Sequence, residues 1–177
     1  MYKRQDIAEG TFGAEALAEV LPFPNKVAVV YMTGAQLLET LEAASQGLPY
    51  TAETADACAS LMQVSGLTYA VDTTKAYDAL EAYGDHWFTA GSVSRVRIDD
   101  VNGQPFDAEA TYAVVTSNAN FNGMDSSYVL KAAAEANEQS AVTTAVVRDV
   151  VFRFIAAELN HQVGEAYAAP QGRLTIL

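Results

Sequence analysis

At 177 residues the chain is long enough to bury a real core, and half of it is apolar, which excludes a disordered chain. Ten Lys and Arg against 22 Asp and Glu give a net charge of −12, which opposes binding to the phosphate backbone of a nucleic acid. One cysteine, Cys58, excludes an internal disulfide, and no apolar run approaches the ~20 residues that span a bilayer.

The start, Met1-Tyr2-Lys3-Arg4-Gln5, differs in character from the rest of the chain, and Tyr2 to Gln5 look like the translated end of a sequencing adapter. Residues 1–5 are therefore expected to be a non-native leader, with the natural N-terminus missing and residues 6–177 forming one domain. Phe12, Ala16, Leu17 and Val20 have helical spacing, and Pro22 ends that helix. Leu21-Pro22-Phe23-Pro24-Asn25 is then a tight loop between two prolines. Lys26 to Met32 is almost continuously apolar and β-branched, as in a buried strand. Leu37, Leu38 and Leu41 predict a helix over 34–45, stopped by Gly47. Residues 46–57 read as loop or weak helix, with Cys58 a small core residue.

Met62 to Val71 alternates like a strand, in which Gly66 marks a bulge or a close approach by another group. Residues 73–91 carry Tyr77, Tyr83, Trp87 and Phe88, which suggest a short helix, a packed loop and a small satellite core. Ser92 to Asp99 fits a half-buried strand with Arg95 and Arg97 on its solvated face. Asn102-Gly103 is a hairpin signal, and Thr111 to Thr116 is the next strand. Residues 118–127, rich in Asn, Gly, Ser and Asp, predict an irregular loop. Tyr128 to Ala136 reads as helix. Val142, Val146, Val150, Phe154 and Ile155 predict a second helix, running to about Leu159, whose wide stripe a sheet should cover. Arg173 to Leu177 closes as a strand. Helices and strands are mixed with central hairpin pairing, so the expected fold class is α+β, one domain with a mixed β-sheet packed by helices.

Catalytic constellations are absent from the pattern. His86 and His161 have no second ligand at helical spacing, so no metal site is expected in this chain. No nucleophile elbow and no Gly-rich phosphate loop precede a helix. The loop around Phe23 is the positive lead. An aromatic ring with a carboxamide two residues on can stack on a flat heterocycle and hydrogen-bond its edge; equally, Phe23 can plug the core and Asn25 can serve the turn.

Leu21-Pro22-Phe23-Pro24-Asn25, Met32-Thr33-Gly34-Ala35-Gln36-Leu37, Gln63-Val64-Ser65-Gly66-Leu67 with Tyr69 and Asp72, Val101-Asn102-Gly103-Gln104-Pro105 and Thr111-Tyr112-Ala113-Val114-Val115-Thr116 occur in that order. Together with Gly172-Arg173-Leu174-Thr175-Ile176 they resemble the C-terminal domain of the 5'-nucleotidase family. That family includes UDP-sugar hydrolases, ecto-5'-nucleotidases and 2',3'-cyclic-nucleotide phosphodiesterases. The resemblance runs from about Asp6 over nearly the whole chain.

The resemblance implies a nucleoside-recognition domain whose upstream partner, an N-terminal two-metal phosphoesterase domain of the same parent, hydrolyses the phosphoester. This chain alone would be inactive and would hold no cofactor, the divalent metal pair lying in the missing domain. It implies a nucleotide or nucleoside ligand, no nucleic-acid polymer and no membrane insertion, and a periplasmic, secreted or cell-surface location. The family's stacking Phe falls on Phe23, and its base- or sugar-contacting Asn on Asn25. Its ribose-binding loop Asp falls on Asp125, which can alternatively cap the helix after it. Gly66 and Asn118 complete the implied contacts. The family's second ring falls on Ala119, so Phe121 becomes the candidate for the far face, or else a loop anchor. The family's Gly-Gly pair has become Gly123-Met124, and Ser126-Ser127 adds a residue before Tyr128. That altered loop supports the alternative of a non-catalytic binding or structural module with a degenerate site.

Overall fold

Pro22 and Pro24 bracket the turn that separates the first two elements of the computed structural model, which describes residues 9–84 and 87–177. The expected leader at 1–5, and His86, lie outside the described residues. Helix α1 (Ala14–Val20) buries Leu17 and starts two residues later than its spacing predicts. Strand β1 (Lys26–Thr33) buries Ala28, Val30 and Met32 on one face, the two-residue period of a pleated strand. Thr33 ends it and caps helix α2 (Gly34–Ala44). Its side chain accepts the Gln36 N–H at 3.2 Å, and Gln36 Oε1 accepts the Thr33 N–H at 2.9 Å, a complete capping box. Leu37 and Leu41 then face the core.

Residues 46–56 are turns leading to a 3-10 turn at Ala57–Ser60, where the half-buried Cys58 thiol donates to the Gly47 carbonyl. The strand expected over 62–71 is shorter: β2 is Leu67–Val71. Gly66 adopts φ +80°, which breaks the pleat, so Met62 to Gly66 remains irregular backbone. The helix expected within 73–91 is instead a hairpin of β3 (Ala79–Tyr83) and β4 (Trp87–Ala90). Its aromatics do build a satellite contact. Tyr83 stacks obliquely on Tyr128 at 5.7 Å and donates to the Gly123 carbonyl at 2.8 Å.

Strand β5 (Val96–Val101) turns through Asn102 and Gly103, both at positive φ, into β6 (Gln104–Pro105). That two-residue loop is the predicted hairpin. Arg95 is not solvated but 3% exposed. Its guanidinium donates to the Ser45 and Leu48 carbonyls beyond the end of α2, where a cation suits the helix dipole. Buried Glu42 accepts the Arg95 and Val96 N–H groups, tying α2 to β5.

Strand β7 (Thr111–Ser117) pairs antiparallel with Val27 to Thr33 of β1. The loop after it begins with a helical turn, α3 (Asn118–Phe121), capped by Ser117, rather than being irregular throughout. Helix α4 (Tyr128–Ala136) has the bounds its sequence predicts. The second helical stripe divides. Its β-branched start forms β8 (Ala141–Val146) on the other side of β1, and helix α5 covers only Val147–Ala157. Among the described residues no sheet buries α5, whose Val150, Phe152 and Phe154 stay exposed. After a 3-10 turn at Glu165–Tyr167, strand β9 (Leu174–Ile176) pairs parallel to β2.

The sheets have orders β7-β1-β8 and β6-β5-β2-β9, the second one mixed, beside the β3-β4 hairpin. One core joins them: Val30 and Met32 from β1, Tyr69 and Val71 from β2, Val96 and Ile98 from β5, with α2 and α4 supplying Leu37, Leu41, Val129 and Leu130. The fold is the expected α+β class. No described helix is long and apolar enough to cross a membrane.

Candidate functional site

Three loops meet on one cavity of about 1240 Å³. The first carries Phe23. Flanking prolines fix their own φ angles and leave the loop little freedom. Its exit is pinned twice: the Asn25 carbonyl accepts the Val147 N–H at 2.8 Å, and Asn118 Oδ1 accepts the Lys26 N–H at 2.7 Å. The Phe23 ring is 46% exposed, and Phe23 and Asn25 both stand on the cavity wall.

The second segment is Ala59 to Leu67. Its polar backbone is bound from behind: Tyr69 donates to the Met62 carbonyl at 2.7 Å, Arg173 Nη1 to the Val64 carbonyl at 3.3 Å, and the Asn102 N–H to the Gly66 carbonyl at 2.7 Å. Burial raises the Tyr69 hydroxyl to a pKa of about 12, so it remains a donor. A Cβ on Gly66 would lie 2.9 Å from Asn102 Oδ1, the close approach its sequence position suggests. A register shift between Thr68 and Tyr69 supplies a bulge as well.

The third segment is the loop after α3. The Gly123 N–H donates to the Asn120 carbonyl and the Met124 N–H to the Ala119 carbonyl, both at 3.0 Å, folding the loop back on α3. Asp125 takes φ +55°, a left-handed conformation uncommon outside glycine. It does not cap α4: the residue before that helix is Ser127, and no side chain caps it. Asp125 lies on the cavity wall, and loss of water there raises its carboxyl pKa. Met124, 58% exposed, and Ala119 line the same region.

Of the residues singled out from sequence, the fold brings Phe23, Asn25, Gly66 and Asp125 to one wall. Phe121 and Asn118 are not on it. Phe121 packs against the hydrophobic core, and Asn118 holds the start of β1. The wall adds Asn102, Asn120, Ser126 and Arg173, which sequence reading assigned only to turns, loops and strands. Only Asn102 had a usable signal, because Gly66 called for a partner and the hairpin turn supplied one. Among the described residues of this lining Arg173 is the one Lys or Arg and Asp125 the one acid. Among the described residues no group of three or more His, Cys, Asp or Glu could hold a metal ion. The described lining offers aromatic, carboxamide, hydroxyl and carboxylate groups, a mixture that can stack and hydrogen-bond.

The family model described as "5'-nucleotidase, C-terminal domain" matches residues 2–132. A search of curated proteins gives no match. Among solved structures, a 5'-nucleotidase precursor from Thermus thermophilus is similar with TM-score 0.72 and 29% identity, over 98% of this chain and 29% of that one. The NAD nucleotidase of Haemophilus influenzae is similar with TM-score 0.64 and 16% identity, over 94% of this chain and 27% of that one, and supports the fold alone. The chain thus spans less than a third of the length of either relative.

Proposed function

The chain belongs to the 5'-nucleotidase C-terminal domain family, and from that premise we propose that it grips the nucleoside part of a nucleotide for hydrolysis by an upstream domain of the same parent. The convergence of the Phe23 loop, the Gly66 segment and the Asp125 loop on one cavity carries the reading. Phe23 stacks on the base, an interaction of about 1–3 kcal/mol in comparable base–aromatic contacts. Asn25 hydrogen-bonds the base or sugar, and the Asp125 carboxylate accepts from ribose hydroxyls. Gly66 lets backbone approach the ligand closely. Ala119 and Met124 form the far face, where the polarisable Met124 sulfur suits an aromatic ring. Phe121 and Asn118 support the loops and make no ligand contact.

The hydrolysis belongs to the parent. Two divalent metals in its N-terminal domain would generate the nucleophile and neutralise phosphoryl charge. The described residues offer them no ligand set. Residues 6–177 constitute the recognition domain. A secreted, periplasmic or surface location fits the Thermus thermophilus relative, which is described as a precursor.

Calorimetric titration of adenosine and UMP tests the reading. Binding that weakens about ten-fold or more in Phe23→Ala is expected from the stacking energy. No heat at millimolar ligand favours the alternative, a non-catalytic module whose wall has lost its second ring at Ala119.

A further inference from the structure

Arg148, Asp149 and Arg153 are the polar residues of α5, and its other eight are apolar. A helix apolar on all sides belongs in an interior, yet α5 has no buried residue. The Phe152 and Phe154 rings are 46% and 45% exposed. At 3.6 residues per turn, Phe152, Arg153 and Phe154, all exposed, sweep about 200° of the helix circumference. Val150, four residues before Phe154, extends that face. The opposite side, with Val151 and Ile155, is half-buried, and α5 packs on α1 and β8. Neither Arg148 nor Arg153 makes a salt bridge among the described residues, in a chain where 22 acids face 10 Lys and Arg. Contiguous exposed apolar surface of this kind marks an interaction site.

We propose that this outward face of α5 is the seat of the parent's upstream domain. The inference rests on the two-domain reading above and gives that partner a surface. The chain spans 29% of the Thermus thermophilus relative, so more than two-thirds of a protein of that length lies outside this domain. An upstream domain joins the chain ahead of α1, and α1 packs against α5. The first turn of α5 also belongs to the cavity wall. Val147 lines the cavity, and its N–H donates to the Asn25 carbonyl at 2.8 Å. A domain seated on α5 therefore stands beside a ligand held at Phe23, where a partner that acts on that ligand has to be. A second copy fits the face less well, because a net charge of −12 makes two copies repel. The matching surface is an apolar patch with a carboxylate opposite Arg153.

Amide hydrogen exchange of this chain and of its full-length parent tests this, each also carrying Phe152→Glu together with Phe154→Glu. The α5 amides beyond the first turn should exchange about ten-fold or more slowly in the parent than in this chain. The double substitution should abolish that difference. In this chain alone it should leave Tm and adenosine affinity unchanged, because both rings are exposed and neither lines the cavity. The comparison of the two wild-type proteins stands even if the double variant fails to fold. Equal α5 exchange in the two wild-type proteins would overturn the inference. So would a chain that dimerises in sedimentation and loses the dimer in the double variant, which gives the face to a second copy. Slowed α5 exchange in the parent, with no adenosine binding by either protein, would remove the nucleoside reading and leave the docking surface standing. A parent with no domain ahead of this one would overturn both.

Discussion

The Asp125 carboxyl is raised above its ordinary pKa of 3.8 by loss of water at the cavity wall. Two opposite trends result as pH falls through its titration. In the free chain the protonated form is the better tolerated one, so this group's contribution to stability grows as pH drops and is lost as pH rises through the raised pKa. Nucleoside binding needs the ionised acceptor, so affinity should weaken over the same range. Asp125→Asn should bind adenosine with no such pH dependence; a variant that follows the wild-type profile would remove Asp125 from the site. Much of this residue-level picture was legible. Phe23 is held between two prolines, so its loop could be read from five consecutive letters. Arg173 was not legible. What singles it out is a 109-residue separation from Val64.

Gly66 shows how one residue positions an element. Its φ of +80° ends β2 at Leu67 and frees Met62 to Gly66 to line the cavity. Gly66→Ala adds a Cβ beside Asn102 Oδ1 and forces an L side chain into left-handed backbone. The expected loss is about 1–2 kcal/mol, read as a lower urea midpoint with unchanged slope. An unchanged midpoint would mean that the segment relaxes without strain. At this scale sequence reading succeeded where period and punctuation agree, as in β1, the Asn102-Gly103 hairpin and α4. It failed where they conflict. Residues 142–146 have apolar spacing compatible with a helix, but pairing with β1 claims them as strand. The aromatic run at 77–88 carries no clean period, and its hairpin is fixed by cross-strand pairing and by contact with Tyr128.

At the scale of the molecule, the cavity exists because residues far apart in the chain come to one wall. β7 lies on the edge of the first sheet, the segment before β2 leads into the second, and the loops at 21–25 and 122–127 meet beside them. The fold class was legible from the mixture of patterns, and the resemblance in motif order extended to the whole domain. The enclosure itself was not, since no local pattern encodes which loops face each other. Backbone amide shifts of the isotopically labelled chain, followed during titration with adenosine, test the central claim most directly. The account predicts saturable changes concentrated at Phe23, Asn25, Gly66 and Asp125, with α5 beyond its first turn and the β3-β4 hairpin undisturbed. Shifts centred on those outer elements, or none at millimolar adenosine, would contradict it.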